Sequence, residues 1–281
     1  MTNGASAWIC VTCGNEFSPA AAPPAECLIC VDERQHVPAE GQQWVRLDDP
    51  GHNDRALAVD EIAPGLFSLC LSPTVGIGQR AFFVKTPAGN VLWEPPGFVG
   101  APLLDWIAEH GGVSAIASSH PHLVGASVSL SHLLGNVPVY FNRADSRWIT
   151  REDSVIEPWS GRHVVTEGVE LVQCGGHFPG SSVLLLTGAD RPGAILTGDT
   201  LMVGADRRSV SFMRSYPNLI PLPERLVRGI ADTVDALPFD RIHGGFPGHD
   251  ITENGREVVR FSADRYIGWI TDVIRDPDEP G

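Results

Sequence analysis

The sequence predicts an α/β layered domain, two sheets packed together with helices on the outside, preceded by a small four-cysteine metal module. Three observations carry that expectation. Four cysteines fall as two Cys-x-x-Cys pairs within the first 30 residues. From about residue 45, short apolar runs bounded by Gly and Pro first follow one another as strands, then alternate with helical periods. A length of 281 residues with 43% apolar composition suffices for one large core and a small accessory piece.

The first element is the cysteine module, taken as residues 1–44, with the large domain following over 45–281. Cys10, Cys13, Cys27 and Cys30 form two knuckles, in each of which a tight turn brings two thiolates toward one ion. Together they make a closed tetrahedral shell. The intervening SPAAAPPA is too rich in Pro and Ala to build a core, so the ion must hold the segment together. A closed shell leaves no position for a substrate, so the module is expected to be structural. The alternative, a pair of disulfides, needs an oxidising compartment. Cys70 and Cys174 have no such spacing and read as packed thiols.

In the large domain, strands are expected at 65–71, 80–86, 90–94, 113–118, 137–141, 169–174, 183–186, 194–197 and 241–243. Helices are expected at 102–110, 126–134, 145–149, 223–236 and 253–272. Pro102 and Pro223 suit first helical turns, and Gly135 suits a helix end.

The charge balance narrows the function. With 34 acidic and 20 basic residues the net charge is −14, which argues against nucleic acid and an anionic membrane surface as partners. A small molecule is the expected substrate. No apolar stretch is long enough to span a bilayer, and MTNGASAWIC lacks the charged and apolar regions of a secretory signal. A reducing cytoplasm is therefore expected, and there metal ligation is the natural use of paired cysteines.

The chemistry-bearing residues recur at expected strand ends. His120 and His122 stand one residue apart in SSHPHLVGAS, where period-two alternation places both imidazoles on one side of an extended chain. His177 follows one strand in CGGHFPGSS, Asp199 another in ILTGDT, and His243 a third in RIHGGFPGH. Rigid strands hold ligands, and small residues let backbone and substrate approach. Singly, a strand-end histidine is ordinarily a hydrogen-bonded structural residue, and TGDT an Asx turn. The ordered set is far more specific.

The segment WICVTCGNEFSPAAAPPAECLIC resembles zinc ribbons and, in its short spacing, the rubredoxin-like module of rubrerythrins. Asn15 and Leu28 stand where rubredoxin-type knuckles carry an aromatic and a proline, which favours structural zinc over iron. Residues 58–272 resemble the metallo-β-lactamase superfamily. The first motif of that family, His-x-His-x-Asp-His, is matched by His120 and His122. Its Gly-His-x-x-Gly-Ser is matched by Gly176, His177, Gly180 and Ser181, and its bridging aspartate by Asp199. FFVKTPAGNVLWEPPG resembles the early hairpin, with Glu94 where an aspartate is usual. The resemblance implies an αββα sandwich with the site at one edge between the sheets.

Two departures matter. Val124 and Gly125 replace the aspartate and histidine that hold a second ion in dinuclear members, and only His243 or His249 is at hand as a substitute. The expectation is one ion on His120, His122 and His177, completed or supported by Asp199. Asp199 and His243 are the candidate catalytic groups. An aspartate restored at 124 would be expected to raise affinity for a second ion, provided His243 turns toward it. One zinc with an open position activates water and polarises a carbonyl. The leading reading is thus a mononuclear hydrolase of an ester, thioester or lactone.

Two alternatives remain. His120, His177 and Asp199 form a two-His-one-carboxylate set suited to Fe(II), as in the persulfide dioxygenases of the superfamily. A degenerate, non-catalytic binding protein is the other. Downstream, DRRSVSFMRSYPNLIPLP places Arg207, Arg208 and Arg214 near Tyr216 and Asn218. In so acidic a chain this cluster is a candidate anion-recognising wall, with Arg207, Arg208, Tyr216 and Asn218 as substrate contacts. The plainer alternative is a strand with solvated arginines.

Overall fold

The computed structural model describes residues 6–188 and 191–279. Two sheets lie face to face. The first runs, in spatial order, Ile156–Trp159, Val139–Asn142, Ala115–Ala117, Val91–Trp93, Ala81–Val84, Leu66–Ser72 and Ala56–Ala63. The second runs Arg162–Thr166, Val169–Gln173, Ser182–Gly188, Arg191–Leu196, Arg241–His243 and Asp250–Ile251.

Strand alternation sorts their side chains into three layers. Phe82 and Val84 point between the sheets, with Trp93, Leu171, Leu184 and Leu196. Their neighbours Ala81 and Phe83 face the other way, against Leu103 and Ile107 of the helix Ala101–Glu109 and Leu130 of Ser127–Leu133. In the second sheet Val183, Leu185, Ile195 and Ile242 face outward onto Val227, Ile230 and Val234 of Glu224–Asp235 and Val259 and Ala263 of Gly255–Ile270. The architecture is the expected αββα sandwich.

The departures from expectation are at edges and ends. Ala56–Ala63 was not legible as a strand because, as the last strand of its sheet, it buries almost nothing and carries Asp60 and Glu61 side by side. The expected helix at 145–149 is a 3-10 helix, Arg143–Trp148. No helix among the described residues is long and apolar enough to cross a membrane.

The N-terminal module forms its own three-stranded sheet, with Trp8–Cys10 between Glu16–Phe17 and Trp44–Arg46. Its knuckles place the Cys10 and Cys30 sulfurs 3.6 Å apart and those of Cys13 and Cys27 3.7 Å apart. All four are buried. Without an ion, burial raises the Cys13 thiol, and its bond to Cys10 raises that of Cys30. Cys10, with three sulfurs around it, is driven down instead. Four buried sulfurs converging on one point is the arrangement a cation resolves, and the donor set fits zinc or iron. Cys70 and Cys174 are half-buried and unpaired, and burial pushes the Cys174 thiol up to about 12.

Candidate metal centre

At the end of Ala115–Ala117 the chain stays extended through His120, then turns into the 3-10 segment Pro121–Leu123. His122 therefore reaches its neighbour through a turn, where strand alternation had been expected, and the two ring centroids lie 4.9 Å apart. His177 enters on the loop after Val169–Gln173, and Asp199 on the turn after Arg191–Leu196. One nitrogen from each of the three imidazoles and one Asp199 oxygen lie within 4.8 Å of one another. The Asp199 Oδ2 atom is 3.5 Å from His120 Nε2 and 3.7 Å from His177 Nε2. His177 Nε2 is 3.3 Å from His122 Nδ1.

Hydrogen bonds behind the rings fix which nitrogens face the centre. His177 Nδ1 donates to the Met213 carbonyl at 3.0 Å, so its Nε2 presents a lone pair. The Ser119 hydroxyl donates to Glu94 Oε1 at 2.5 Å and accepts from His120 Nδ1 at 2.7 Å. His120 Nε2 is buried, has no hydrogen-bond partner, and aims its lone pair at a carboxylate. Lone pairs and a carboxylate directed at one point repel unless a cation sits there. The residues therefore fit a metal ion.

No family model matches the chain. The uncharacterized protein YmaE of Bacillus subtilis (strain 168) is 40% identical over 265 residues, 92% of this chain and 95% of that one. The chain belongs to the YmaE family. Among solved structures, VMB-1 superposes with a TM-score of 0.59 at 14% identity, covering 76% of this chain and 98% of its own. The DIM-1 metallo-β-lactamase gives 0.57 at 14%, covering 75% and 97%. A B3 metallo-β-lactamase with an active-site glutamic acid gives 0.54 at 15%, covering 82% and 100%. This YmaE relative has the metallo-β-lactamase fold, with a four-cysteine module added in front.

Electrostatics in this family member prepare the ligands. Burial lowers the His177 imidazole to about 3 and the His122 imidazole well below its ordinary value, so both are neutral and ready to coordinate. Burial would raise Asp199, but the closeness of His120 first and then His177 outweighs that and holds it below the usual range. Glu94 shows the opposite balance. Burial, reinforced by the Asp199 charge, lifts it to about 8 against the pull of Ser119 and Arg80.

Glu94 thus has a pH signature. Its folded value lies above the unfolded one, so the folded state keeps a proton that the unfolded state loses from about pH 4.5 upward. Stability therefore falls between there and about pH 8, by at most about 1.4 kcal/mol per pH unit. Glu94→Gln keeps the acceptor for Ser119 and cannot ionise. In chelator-treated protein its melting temperature should gain on wild type steadily from pH 5 to 8. A constant difference would refute the assignment.

The remaining expected site residues are placed elsewhere or differently. His243 does not join the cluster. It lies directly opposite Asp250 in an antiparallel pair, and that carboxylate takes its Nδ1 at 2.7 Å while also holding Arg80 at 2.6 Å. His249 turns onto the Pro247 carbonyl. Among the described residues, the cluster holds four ligands, and neither His243 nor His249 is one of them. Arg207 and Arg208 sit on an exposed turn where Asp206 accepts from Arg208 N, Ser209 N and Ser209 Oγ, which closes the turn and leaves both side chains in solvent. The structure does not bring them to the histidines. Arg214 pairs with Glu33, and Asn218 donates to the Glu33 and Gln35 carbonyls, so both tie down the cysteine module. Tyr216 is beside the site. Its ring lies 5.8 Å from His177, and its hydroxyl bonds Ser211 O and Asp199 O.

Val124, where a second-ion ligand would stand, packs against the cluster of Cys10, Cys13, Cys27, Cys30, Trp148 and Phe178. A carboxylate there meets sulfur and aromatic carbon, and His243 lies outside the four-residue cluster. Val124→Asp should therefore cost about 1–3 kcal/mol of stability and add no metal equivalent, as thermal melts and elemental analysis will show. A second active-site equivalent would reverse this.

Ser119, Arg34, Asn15 and Phe178 also belong to the site, and no sequence pattern marked them. Ser119 had a faint signal as the residue before the first histidine. Asn15 stood out only as a departure from rubredoxin spacing.

Proposed function

We propose that this chain is a mononuclear, metal-dependent hydrolase of a small ester, thioester or lactone, with zinc at the three-histidine site and zinc also in the cysteine module. The observation that carries the reading is the convergence of three imidazole nitrogens and one carboxylate oxygen on a single buried point. A divalent ion bound there supplies Lewis acidity toward a carbonyl and lowers the pKa of water toward neutrality.

The chain's own residues supply the rest. Asp199 Oδ1 is buried with no hydrogen-bond partner, which makes it the available proton acceptor where Val124 offers none. Tyr216, kept neutral by burial, braces the Asp199 turn from behind. The Glu94–Ser119–His120 chain fixes the ring that faces Asp199. His120, His122, His177 and Asp199 are 3%, 2%, 1% and 6% exposed, an enclosure that supports a small substrate.

The test combines elemental analysis with a panel of aryl esters, thioesters and lactones. One zinc beyond that of the four cysteines, with turnover of at least one substrate class, is expected. Iron at the histidine site with oxygen uptake and no hydrolysis would establish the oxidoreductase alternative instead.

A further inference from the structure

The cysteine module is seated on the histidine site by contacts that reach its ligand loops directly. Asn15, in the turn after Cys13, donates to the Pro121 carbonyl at 2.8 Å and accepts from Gly125 N at 3.0 Å. Pro121 lies between His120 and His122, so Asn15 brackets the loop that carries both. Glu16 N bonds the Gly125 carbonyl at 3.0 Å, and its buried carboxylate accepts from Val128 N, Ser129 N and Arg151. From the second knuckle, Arg34 reaches across to the His177 carbonyl at 2.7 Å, with its guanidinium 4.3 Å from the Phe178 ring centre. Phe178, fully buried, touches all three imidazoles, with ring centroids 5.7, 4.8 and 5.2 Å away, and packs among the four cysteines as well.

The position of this seat explains the departures in the motif. Val124 and Gly125 both meet the module: Val124 packs on its sulfur cluster, and Gly125 takes both the Asn15 and Glu16 bonds. Where a second ion's ligands would be mounted, the chain mounts the module.

Resting on the reading of His120, His122, His177 and Asp199 as a metal site, we infer that the four-cysteine module is the outer wall of that site. Its loaded, folded state sets the affinity of the histidines for their ion, and Asn15 and Arg34 act as positioning residues. A loop held from outside presents its imidazoles without first being ordered by the ion. Losing such outer partners typically costs about 10–100-fold in metal affinity.

Cobalt(II) makes the two sites separately visible in the full-length chain. Thiolate ligation gives an intense sulfur-to-cobalt charge-transfer band, and the histidine site gives only weak ligand-field bands. Titration of the Asn15→Ala and Arg34→Lys variants should show the thiolate band intact and the histidine-site affinity lowered by about 10–100-fold. In wild type, displacing the cysteine-bound ion with a mercurial should weaken the histidine-site bands together with the thiolate band, a measurement that depends on no variant folding. Histidine-site affinity within about twofold of wild type in both variants, or ligand-field bands unchanged after the thiolate band is gone, overturns the inference. Absence of histidine-site bands in untreated wild type would instead overturn the metal reading beneath it.

Discussion

Asp199→Ala should abolish turnover, by about three orders of magnitude or more, and release one metal equivalent while the four-cysteine ion stays bound. Asp199 is the sole carboxylate among the four converging ligands, and its Oδ2 lies within 3.7 Å of two imidazoles. Its other oxygen is the free acceptor at the centre. Removing the side chain takes away both the anionic donor and the proton acceptor, and leaves three imidazoles, His120, His122 and His177, to hold a dication without any anionic partner. The fold should tolerate the change, because Thr197 and Thr200 secure the same turn through Leu201 O and Ser182 O. Elemental analysis and turnover of the best substrate provide the check. Activity within tenfold of wild type would assign the proton transfer to another group.

Gly125→Ala should be strongly destabilising for a single added methyl, lowering stability by about 2–4 kcal/mol. The residue adopts φ +49°, and a Cβ there would lie 2.0 Å from the Pro95 carbonyl and 2.6 Å from the Pro96 backbone. Neither obstacle is the end of a flexible side chain, so the loop itself must move. It carries the Asn15 and Glu16 bonds with it. The expected result is a lower melting temperature together with weaker metal retention at the histidine site. A melt unchanged from wild type would mean that the loop relaxes freely and does not brace the site.

Local chemistry was legible in the chain. A Cys-x-x-Cys knuckle closes within one turn, so its spacing alone points to a shared ion. An apolar period of two or 3.6 reflects which face a segment buries, and the buried strands and long helices of the sandwich followed from it. His120 and His122 stand close because only Pro121 separates them. His177 and Asp199, 57 and 79 positions beyond His120 by their numbers, could be joined to that pair only through resemblance. Spacing within a segment carries no information about which loops meet across a sheet.

Tertiary packing decided the rest. Strand register set His243 opposite Asp250, whose carboxylate takes its Nδ1. A turn closed by Asp206 carried Arg207 and Arg208 into solvent. Ser119 came to link Glu94 to His120 only because the strands Val91–Trp93 and Ala115–Ala117 lie side by side. Asn15 meets Pro121 across 106 positions, and Arg34 meets His177 across 143. Contacts of that kind arise from the complementarity of two finished surfaces, and neither surface exists until its own segment has folded. The sequence by itself determined the two sets of metal donors and the layers that hold them. Only the folded molecule brought one set against the other, because hydrogen bonds between distant loops leave no period, spacing or composition to read.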